Sequence, residues 1–446
     1  MLDNKFKVVV IGSGPVGLTA AHALSQAGID FIVLEHRASV VVDVGAAMSI
    51  WPHGFRVLAQ LGLLERLEKI GVEVGRTMSL TLEGHKYKEN NAARAIKVNH
   101  GTCQFMTHRA NLLDVLYGTL SDADKSRILT NKKVTNITTH ADGVIVHCED
   151  GSTHKGSIVI GADGAHSFVR QKMRELAIQS SSPATPLNEE KPYLSEYRIM
   201  WCTFPRQPGG EPGDAFDIHG TDVSLQTLTG LDRTWVFVYE RLENLTPERV
   251  AYTQADVEAL AARHGECAIT ETLRLKDVFP LRVTAGMTNL EEGILRHWSW
   301  NRIVLVGDAC HKMTPNLGQG FNNGVQDVVV LVNELYRIVP SGVVDTDVLE
   351  GAFARYQAAR IDLLKKEYAG SAAWTRMSAW RNGTYRVLDR YIIPAIPWFD
   401  GFFISKVVSP RISKMAVLDF VEGEESFKGK MPWKNGIKVR GKKLAE

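Results

Sequence analysis

The sequence predicts an α/β fold in which helices flank a mainly parallel sheet, a β-rich part is inserted, and the chain ends in a helical region. Two β-branched runs, residues 6–11 and 301–309, each lead into a glycine-rich turn and a helical pattern, as central parallel strands do. Residues 193–285 instead alternate between strand and loop patterns. Residues beyond 345 have mainly helical spacing.

Size and composition indicate an ordinary globular chain. Its 446 residues are enough for two or three modules and a large core. Apolar residues make up 44%, and the formal net charge of +2 gives no reason to expect nucleic acid as a partner. The five cysteines are widely spaced and form no CxxC pair, which predicts reduced thiols in an intracellular compartment and no metal site.

The apolar segments do not indicate export or a membrane span. The run at 6–11 passes directly into a glycine-rich turn, which is typical of a buried strand rather than a signal peptide. No stretch of the sequence reaches the roughly 18 uninterrupted apolar residues that a spanning helix needs. Residues 391–421 are apolar but interrupted by prolines and charges, which favours a packed tail. We expect a cytoplasmic protein and leave peripheral contact with an intracellular membrane open.

The first 35 residues have the pattern of a complete βαβ unit. After the first strand, residues 18–27 have helical spacing and end at Gly28, a natural C-cap. The second strand ends at Glu35. The further predicted elements are a helix over 52–71, a hairpin over 77–89, a helix over 109–120, a β-meander over 134–160, a polar boundary segment over 178–192, a strand over 234–242, and helices over 319–338 and 349–366.

The glycine-rich turn at residues 12–17 has the spacing of a dinucleotide-binding site. Glycines there permit a tight turn, the close approach of a pyrophosphate, and close helix–strand contact. The helix that follows offers free N–H groups and the positive end of its dipole to the phosphates. Glu35 ends the second strand, where a carboxylate can accept ribose hydroxyls. A purely structural turn is the alternative, but this context favours the dinucleotide.

Two later motifs also follow β-branched strands. GADGAHSFVR begins at Gly161, and GDACHKMTPNLGQGFN begins at Gly307. An aspartate at a strand end, such as Asp308, can hold a sugar-alcohol hydroxyl. The N-terminus of the helix at 319–338 can stabilise negative charge on a group bound in front of it.

Together, in this order and spacing, the three motifs resemble those of the class A flavoprotein monooxygenases of the para-hydroxybenzoate hydroxylase type. The resemblance covers about residues 6–340. Within that family, HKMTPNLGQGFNN and DVGAAMSIWPHG are most similar to fungal secondary-metabolite oxygenases that act on prenylated or indole-containing polycycles. The resemblance implies a Rossmann-type FAD-binding domain with an inserted β-rich substrate domain and a helical C-terminal tail.

The resemblance also implies which residues bind FAD. The glycines and Glu35 would hold the ADP half, Arg109 the FAD backbone and Asp308 the ribityl chain, while Asp163 belongs to a motif shared between FAD and nicotinamide. The implied FAD-binding residues are Gly12, Gly14, Gly17, Glu35, Arg37, Ala47, Arg109, Asp163, Asp308, Pro315, Gly318 and Gly320. No second GxGxxG is present, which is consistent with NAD(P)H that binds only transiently.

The implied domains are discontinuous in sequence. We expect FAD-binding parts at 1–76, 103–177 and 286–345, substrate-domain parts at 77–102 and 178–285, and a helical C-terminal region at 346–446.

Arg198 is the candidate catalytic residue. It lies in the strand-like run 197–201, and members of this subgroup can carry a functional arginine in the corresponding strand. An arginine in a buried cleft needs a partner, and a substrate oxygen would supply one. The alternative is an edge-strand surface charge.

The other candidates at the reacting centre are weaker. Asp43 and His53 flank a segment expected near the flavin and could relay a proton, although an ordinary loop role is favoured for both. For Cys310 a packed thiol is favoured over a covalent flavin link. Four tryptophans either line an apolar cleft or pack the core, and these are Trp201, Trp235, Trp374 and Trp380.

The resemblance implies a flavin-dependent monooxygenase. NAD(P)H would reduce FAD, O2 would give the C4a-hydroperoxyflavin, and a large apolar aromatic or prenylated substrate would be hydroxylated or epoxidised. A dehydrogenase or reductase that does not use O2, and a flavin-bound regulatory module without turnover, share the fold and remain alternatives. Substrate-dependent consumption of NAD(P)H and O2 distinguishes the three. The sequence leaves open whether the chain is a monomer or a homodimer.

Overall fold

The computed structural model describes residues 5–43, 45–180, 187–341 and 344–439. In chain order, the strands are β1 Lys7–Ile11, β2 Asp30–Leu34, β3 Ala47–Ile50, β4 Gly71–Glu73, β5 Arg76–Thr81, β6 Lys86–Asn90, β7 Phe105–His108, β8 Ile128–Leu129, β9 Val134–His140, β10 Gly143–Cys148, β11 Thr153–Gly156, β12 Ile158–Gly161, β13 Leu194–Pro205, β14 Asp214–His219, β15 Val223–Thr229, β16 Arg233–Thr246, β17 Thr284–Ile294, β18 Ser299–Trp300, β19 Ile303–Leu305 and β20 His311–Lys312.

The helices alternate with these strands in the first part of the chain and follow them in the last. They are α1 Pro15–Gln26, α2 Pro52–Gln60, α3 Leu64–Glu68, α4 Ala92–His100, α5 Arg109–Gly118, α6 Asp122–Lys125, α7 Phe168–Gln179, α8 Gln254–Arg263, α9 Leu275–Val278, α10 Gly320–Ile338, α11 Thr346–Ser378, α12 Gly383–Val387, α13 Phe399–Phe403 and α14 Ser409–Ile412. Short 3-10 turns cover Phe279–Leu281, Gly307–Ala309, Pro315–Leu317 and Val339–Ser341, and π-helical turns cover Leu388–Ile392 and Ile404–Val408.

The first sheet has the order β18-β19-β12-β1-β2-β8, and its pairs are parallel except at β18. Val9 pairs with Val159, which pairs in turn with Ile303, so the central strands come from distant parts of the chain. Valine and isoleucine fill these strands because both faces of the sheet are covered, and Val9 is fully buried. Helix α10 packs against both α1 and α11.

The second sheet has the order β20-β17-β13-β16-β15-β14-β5-β6 and is antiparallel except between β14 and β5. Its strands alternate between two apolar faces. One face packs under α8 and α9, with Met200 and Leu225 against Leu260. The other face, with Tyr197 and Tyr239, is turned toward β3, which belongs to the small sheet β3-β7-β4. The site lies between this second face and the ends of the parallel strands.

The predicted α/β class, with an inserted β-rich sheet and C-terminal helices, is confirmed. The helix expected over 52–71 divides into α2 and α3, because Gly62 has a φ of +77° between them. The third run of the expected meander also divides, since β11 stays in the meander sheet while β12 joins the parallel sheet. The helix expected over 349–366 extends over all of α11.

The expected domain limits remain a proposal. Part of the boundary segment at 178–192, residues 181–186, lies outside the described residues, as do 1–4, 44, 342–343 and 440–446. The limit expected at 285 falls inside β17, which pairs with β13 and continues the second sheet to Ile294. Beyond α14 the described chain has no helix or strand up to residue 439, although Glu425 in this segment bonds to Arg56 of α2. Within the described ranges, no helix combines the length and apolarity needed to cross a membrane.

Candidate cofactor and substrate site

The glycine turn between β1 and α1 leaves an open cradle at its centre. Gly12 has a φ of +102°, and a Cβ there would lie 2.6 Å from the carbonyl oxygen of Ala162. A Cβ on Gly17 would lie 2.0 Å from the carbonyl oxygen of Gly12, so both positions admit only glycine. A Cβ on Gly14 would meet nothing within 4 Å, and no capping side chain bonds to the first N–H groups of α1. The open space and these N–H groups fit a phosphate.

Glu35 joins the glycine turn to the end of β2. Its Oε2 accepts hydrogen bonds from the N–H of Ser13 at 2.9 Å and the hydroxyl of Ser13 at 2.7 Å, and its Oε1 accepts the N–H of Arg37 at 2.9 Å. Burial by itself raises the pKa of the Glu35 carboxyl, but these hydrogen bonds outweigh it and the pKa lies below its usual value. Glu35 is therefore an ionised acceptor beside the cradle, which suits a ribose hydroxyl.

Two arginines and one carboxylate lie close together where α5 begins. The guanidinium of Arg109 makes no hydrogen bond to any residue that the structure describes. Burial and the charge of Arg37 lower the pKa of Arg109, while the charge of Asp308 acts in the opposite direction. A Cβ on Gly45 would lie 3.2 Å from Cδ of Arg109, so the loop before β3 closes over this arginine. The two arginines and one carboxylate have a net positive charge, which fits a bound diphosphate. Ala47, also expected at the cofactor, begins β3 and is half-buried.

Asp163 follows β12 and lies beside the glycine turn, with its Cα 3.0 Å from the position of a Cβ on Gly12. Its Oδ2 accepts the N–H of Val169 at 3.0 Å. Its Oδ1 is buried and has no partner among the described residues, and burial raises the pKa of this carboxyl. An unpartnered buried oxygen is costly, which fits a hydrogen-bond donor supplied by a bound molecule.

The turn that carries Asp308 is fixed from behind by a buried ion cluster. Asp327 Oδ2 accepts the first N–H of the turn at 2.9 Å and lies 2.5 Å from His311 Nε2, while its Oδ1 accepts Nε of Arg360 at 2.8 Å. Burial by itself raises the pKa of Asp327, but the charges of His311 and Arg360 outweigh it and lower the pKa. The Asp308 carboxylate itself accepts no hydrogen bond from the described part of the chain, and it can receive a ribityl hydroxyl.

Sequence reasoning missed Asp327 and Arg360. The one local signal was a carboxylate within the apolar run GVQDVVVLV. Ligand atoms of Cys310, His311 and Asp327 lie within 4.8 Å of one another, but both Asp327 oxygens are already engaged, so the cluster is an ion-pair network rather than a metal site. Burial raises the pKa of the Cys310 thiol well above its usual value, which supports a packed thiol.

The loop that precedes α10 is held against β3. Gly318 has a φ of +63°, and a Cβ there would lie 2.4 Å from the Cβ of Ser49. Asn322 Nδ2 donates to the carbonyl oxygens of Ser49 and Gly318 at 2.8 Å each, and its Oδ1 accepts the N–H of Trp51 at 2.8 Å. Pro315, at the other end of the loop, keeps its side chain exposed. The loop therefore offers a fixed surface to a planar ring.

The N-terminus of α10 lies beside Asp308. A Cβ on Gly320, the first residue of α10, would lie 3.8 Å from Asp308 Oδ1. The positive end of this 19-residue helix therefore faces the space in front of Asp308 and favours negative charge there. This arrangement fits the reduced flavin ring that the sequence predicts.

The face of the second sheet turned toward β3 is an apolar, aromatic wall. Its half-exposed members are Trp201 and Leu228, and Ala46 and Ala47 pack against it from the other side. Its buried members are Tyr197, Ile199, Trp235, Phe237, Tyr239 and Leu290. Half-exposed apolar side chains in the middle of a sheet indicate a cleft, and this wall suits an apolar substrate.

One polar pair interrupts the wall. Gln226 Nε2 donates to Asp217 Oδ1 at 3.0 Å and to the carbonyl oxygen of Asn316 at 3.2 Å. Burial raises the pKa of the Asp217 carboxyl, which favours its neutral form. Because Asn316 lies in the turn after Pro315, this pair joins the wall of the cleft to the loop before α10.

A cavity of about 530 Å³ opens beside Trp201, and Asp43, Gly45 and Arg282 also line it. His108 links Asp43 to the cleft wall. Its Nδ1 accepts the indole N–H of Trp235 at 3.2 Å, so its Nε2 carries the proton that it shares with Asp43 Oδ1 at 2.6 Å. Asp43 therefore lines the cavity and is hydrogen-bonded through His108 to Trp235 of the cleft wall. It remains a candidate proton relay.

Arg198 lies on the opposite face of the second sheet. Neighbouring residues of a strand face opposite sides, and Ile199 is the one that belongs to the cleft wall. Arg198 is ion-paired with Glu240, which also accepts hydrogen bonds from Arg263 at 2.8 Å and from His264 at 2.9 Å. The expectation that Arg198 faces the cleft is therefore corrected, because strand alternation and this ion pair hold its guanidinium near the end of α8. Its catalytic assignment loses its geometric support.

The remaining candidates are one buried histidine and two half-buried tryptophans. His53 is buried in α2 with no partner for either ring nitrogen among the described residues, and burial lowers its pKa to about 3. Trp374 and Trp380 are half-buried at the end of α11 and beyond it, next to the wall rather than among its strands. Trp374 meets the ring of His219 edge-on at 6.1 Å, and Trp380 donates its indole N–H to Asp389 at 2.8 Å.

Comparison with known proteins agrees with this geometry. Residues 5–350 match the family model described as FAD binding domain. The FAD-dependent monooxygenase nvfK of Aspergillus novofumigatus is 33% identical over 432 residues, which cover 94% of this chain and 89% of that protein. The FAD-dependent monooxygenase olcE of Penicillium canescens is 33% identical over 434 residues, which cover 94% of this chain and 90% of that protein.

The fold is similar to that of solved flavoproteins. HpxO of Klebsiella pneumoniae, solved as a complex with FAD and uric acid, superposes with a TM-score of 0.72 at 21% identity. The match covers 91% of this chain and 97% of that chain.

Proposed function

Because this chain belongs to the family of FAD-dependent monooxygenases, we propose that it uses NAD(P)H and O2 to hydroxylate or epoxidise a large apolar substrate of aromatic or prenylated type. When bound, FAD supplies the redox chemistry by accepting a hydride and activating O2. The protein binds and orients the cofactor, keeps water away from the reacting atoms, and positions the substrate.

The observation that carries the substrate class is the aromatic wall of the second sheet beside the loop before α10. Trp201, Leu228 and Ala47 are half-exposed there, although they lie between two packed layers of the fold. Apolar side chains lining a cleft bind an apolar ligand by removing its surface from water. The Gln226–Asp217 pair is a polar feature of this wall, and it can bind an oxygen of the substrate.

We further propose that the substrate is a fungal secondary metabolite. The relatives nvfK and olcE are fungal proteins, and the motifs HKMTPNLGQGFNN and DVGAAMSIWPHG resemble the subgroup that acts on prenylated or indole-containing polycycles. A cleft whose wall is mainly apolar and aromatic suits a molecule with a long apolar part.

The cofactor residues have separate tasks in this proposal. Gly14 and the start of α1 bind the pyrophosphate, with Arg37 and Arg109 as counter-charges, and Glu35 binds the ribose. Asp308 binds the ribityl chain. The N-terminus of α10 stabilises the negative charge that the reduced ring carries.

The proposal is tested by oxygen labelling. The FAD-loaded protein is incubated with NADPH or NADH and a panel of prenylated phenols, quinones and indoles under labelled O2. We expect at least one compound to stimulate NAD(P)H oxidation and to gain one labelled oxygen atom. A product formed anaerobically without label would favour the dehydrogenase, and a panel without any NAD(P)H oxidation would favour the regulatory module.

A further inference from the structure

Exposed apolar surface is concentrated in one stretch of the C-terminal region. Of the five exposed aromatic side chains in the described ranges, four lie between residues 391 and 403, and the fifth is Tyr336. We call the following set the apolar patch: Leu388, Tyr391, Ile392, Trp398, Phe402 and Phe403. Trp398 is 66% exposed and stacks edge-on against Phe402 at 5.7 Å. Exposed apolar side chains concentrated in this way mark an interaction surface.

The apolar patch is held from behind by buried polar contacts. Asp389 accepts the hydroxyl of Tyr87 at 2.8 Å and lies 2.7 Å from Nδ1 of His219. Asp400 binds Nζ of Lys88 at 2.6 Å. Because these two carboxylates fix the polar side of the stretch to β6 and β14, the apolar side chains are presented outward by a fixed scaffold.

Within the stretch 383–414, the exposed charges have one sign. Asp389 and Asp400 are the acidic residues of the stretch 383–414, and both bond inward. The exposed charged residues of the same stretch are Arg386, Lys406 and Lys414. Tryptophan, tyrosine and phenylalanine beside exposed cations are the combination that binds the interface of an anionic bilayer.

We propose that the apolar patch inserts into the headgroup region of an anionic phospholipid membrane, so that the protein binds a membrane surface without spanning it. Aromatic rings enter the interface while the cations contact lipid phosphates and carboxylates. His219, which contacts Asp389, lies on the same face of β14 as Asp217, so the membrane-facing patch lies near the cleft. The inference that a lipid-dissolved substrate reaches the cleft from the membrane rests on the proposed function. The inference that the protein binds a membrane does not.

Vesicle sedimentation of the full-length, FAD-loaded protein tests the proposal. We expect the protein to sediment with sucrose-loaded vesicles of phosphatidylcholine and phosphatidylserine, and less with phosphatidylcholine alone or in high salt. The double variant Trp398→Ser with Phe402→Ser should bind the vesicles about tenfold or more weakly. It lacks the two aromatic rings that membrane binding would remove from water. The matched control is Leu245→Ser with Leu281→Ser, which removes two exposed apolar side chains elsewhere and should bind as the parent does.

Each remaining outcome contradicts the proposal. If the parent does not sediment with either vesicle, or if the patch variant and the control bind equally, the patch is not a membrane contact. If the patch variant instead halves the molar mass measured by light scattering, a second copy of the chain covers the patch. Flavin absorbance and a thermal melt show whether each variant is folded. Incorporation of labelled oxygen into a substrate dissolved in detergent tests the proposed oxygenation separately from membrane binding.

Discussion

Asn322 accepts the backbone N–H of Trp51 through its Oδ1 at 2.8 Å, and this bond joins the first turn of α10 to the start of α2. The same side chain donates to Ser49 and Gly318, so it fixes the loop before α10. We expect Asn322→Ala to weaken FAD binding by about tenfold, since each lost hydrogen bond contributes about 1 kcal/mol to the fixed loop. Titration of the apoprotein with FAD, followed by fluorescence quenching, measures the change.

Asn333→Ala is the control for this prediction. Asn333 lies later in α10, is also buried, and likewise bridges two main-chain groups, Val417 and Asp419, at 2.8 and 2.9 Å. Both variants should melt at a lower temperature, but only Asn322→Ala should bind FAD more weakly. Equal FAD affinity in the two variants would show that the loop does not depend on Asn322.

Gly14→Val should give a folded protein without flavin. A Cβ at Gly14 meets no protein atom, so the fold tolerates it, but the side chain occupies the cradle expected for the pyrophosphate. Absorbance of the purified protein gives the flavin content, and circular dichroism gives the fold. Gly370→Val, at an equally open glycine of α11, should remain yellow. A Gly14→Val protein with a full complement of FAD would remove Gly14 from the cofactor site.

Arg198→Ala should reduce stability and leave the coupling of NAD(P)H oxidation to product unchanged. Glu240 keeps its bonds to Arg263 and His264, so we expect a loss of about 1–2 kcal/mol in the free energy of unfolding. Denaturant unfolding measures the loss, and a peroxide assay measures the coupling. Arg263→Ala removes another cation from the same carboxylate and serves as the control. Extra peroxide from Arg198→Ala alone would restore a catalytic role for Arg198.

Acid should destabilise the protein through His53 and His100. Burial lowers the pKa of His53 to about 3 and that of His100 to about 4, from an ordinary value of 6.5. Below about pH 6.5 the unfolded chain therefore binds protons that the folded chain does not. The free energy of unfolding falls as the pH drops toward those lower values, by up to about 1.4 kcal/mol per pH unit for each histidine.

Unfolding in denaturant at several values between pH 7 and pH 5 tests this dependence. His53→Gln should reduce the slope of stability against pH, whatever its effect at neutral pH. His85→Gln, at an exposed histidine, should leave the slope as it is in the parent. An unchanged slope in His53→Gln would mean that His53 is not held neutral by burial.

The parts of the molecule that depend on neighbours in sequence could be predicted from the sequence. The turn at Gly12 and the strand that ends at Glu35 follow from local patterns of β-branched residues and glycine. The direction of Arg198 could not be predicted, because apolar residues occupy both faces of β13 and a shift of one residue exchanges the faces. The pair of Asp327 and Arg360 joins two helices, and its one local signal, a carboxylate within an apolar run, does not identify the partner.

The parallel pairing of β1 also has a consequence for biosynthesis. β1 leaves the ribosome before its partner β12, which is made about 150 residues later, after roughly 10–30 s of synthesis. During that time the β-branched run 7–11 lacks one of its two neighbouring strands, and closing so long a loop is slow. An unpaired apolar strand is prone to aggregation. Chaperone capacity, rather than the level of messenger RNA, should therefore limit the yield of active protein in a foreign host.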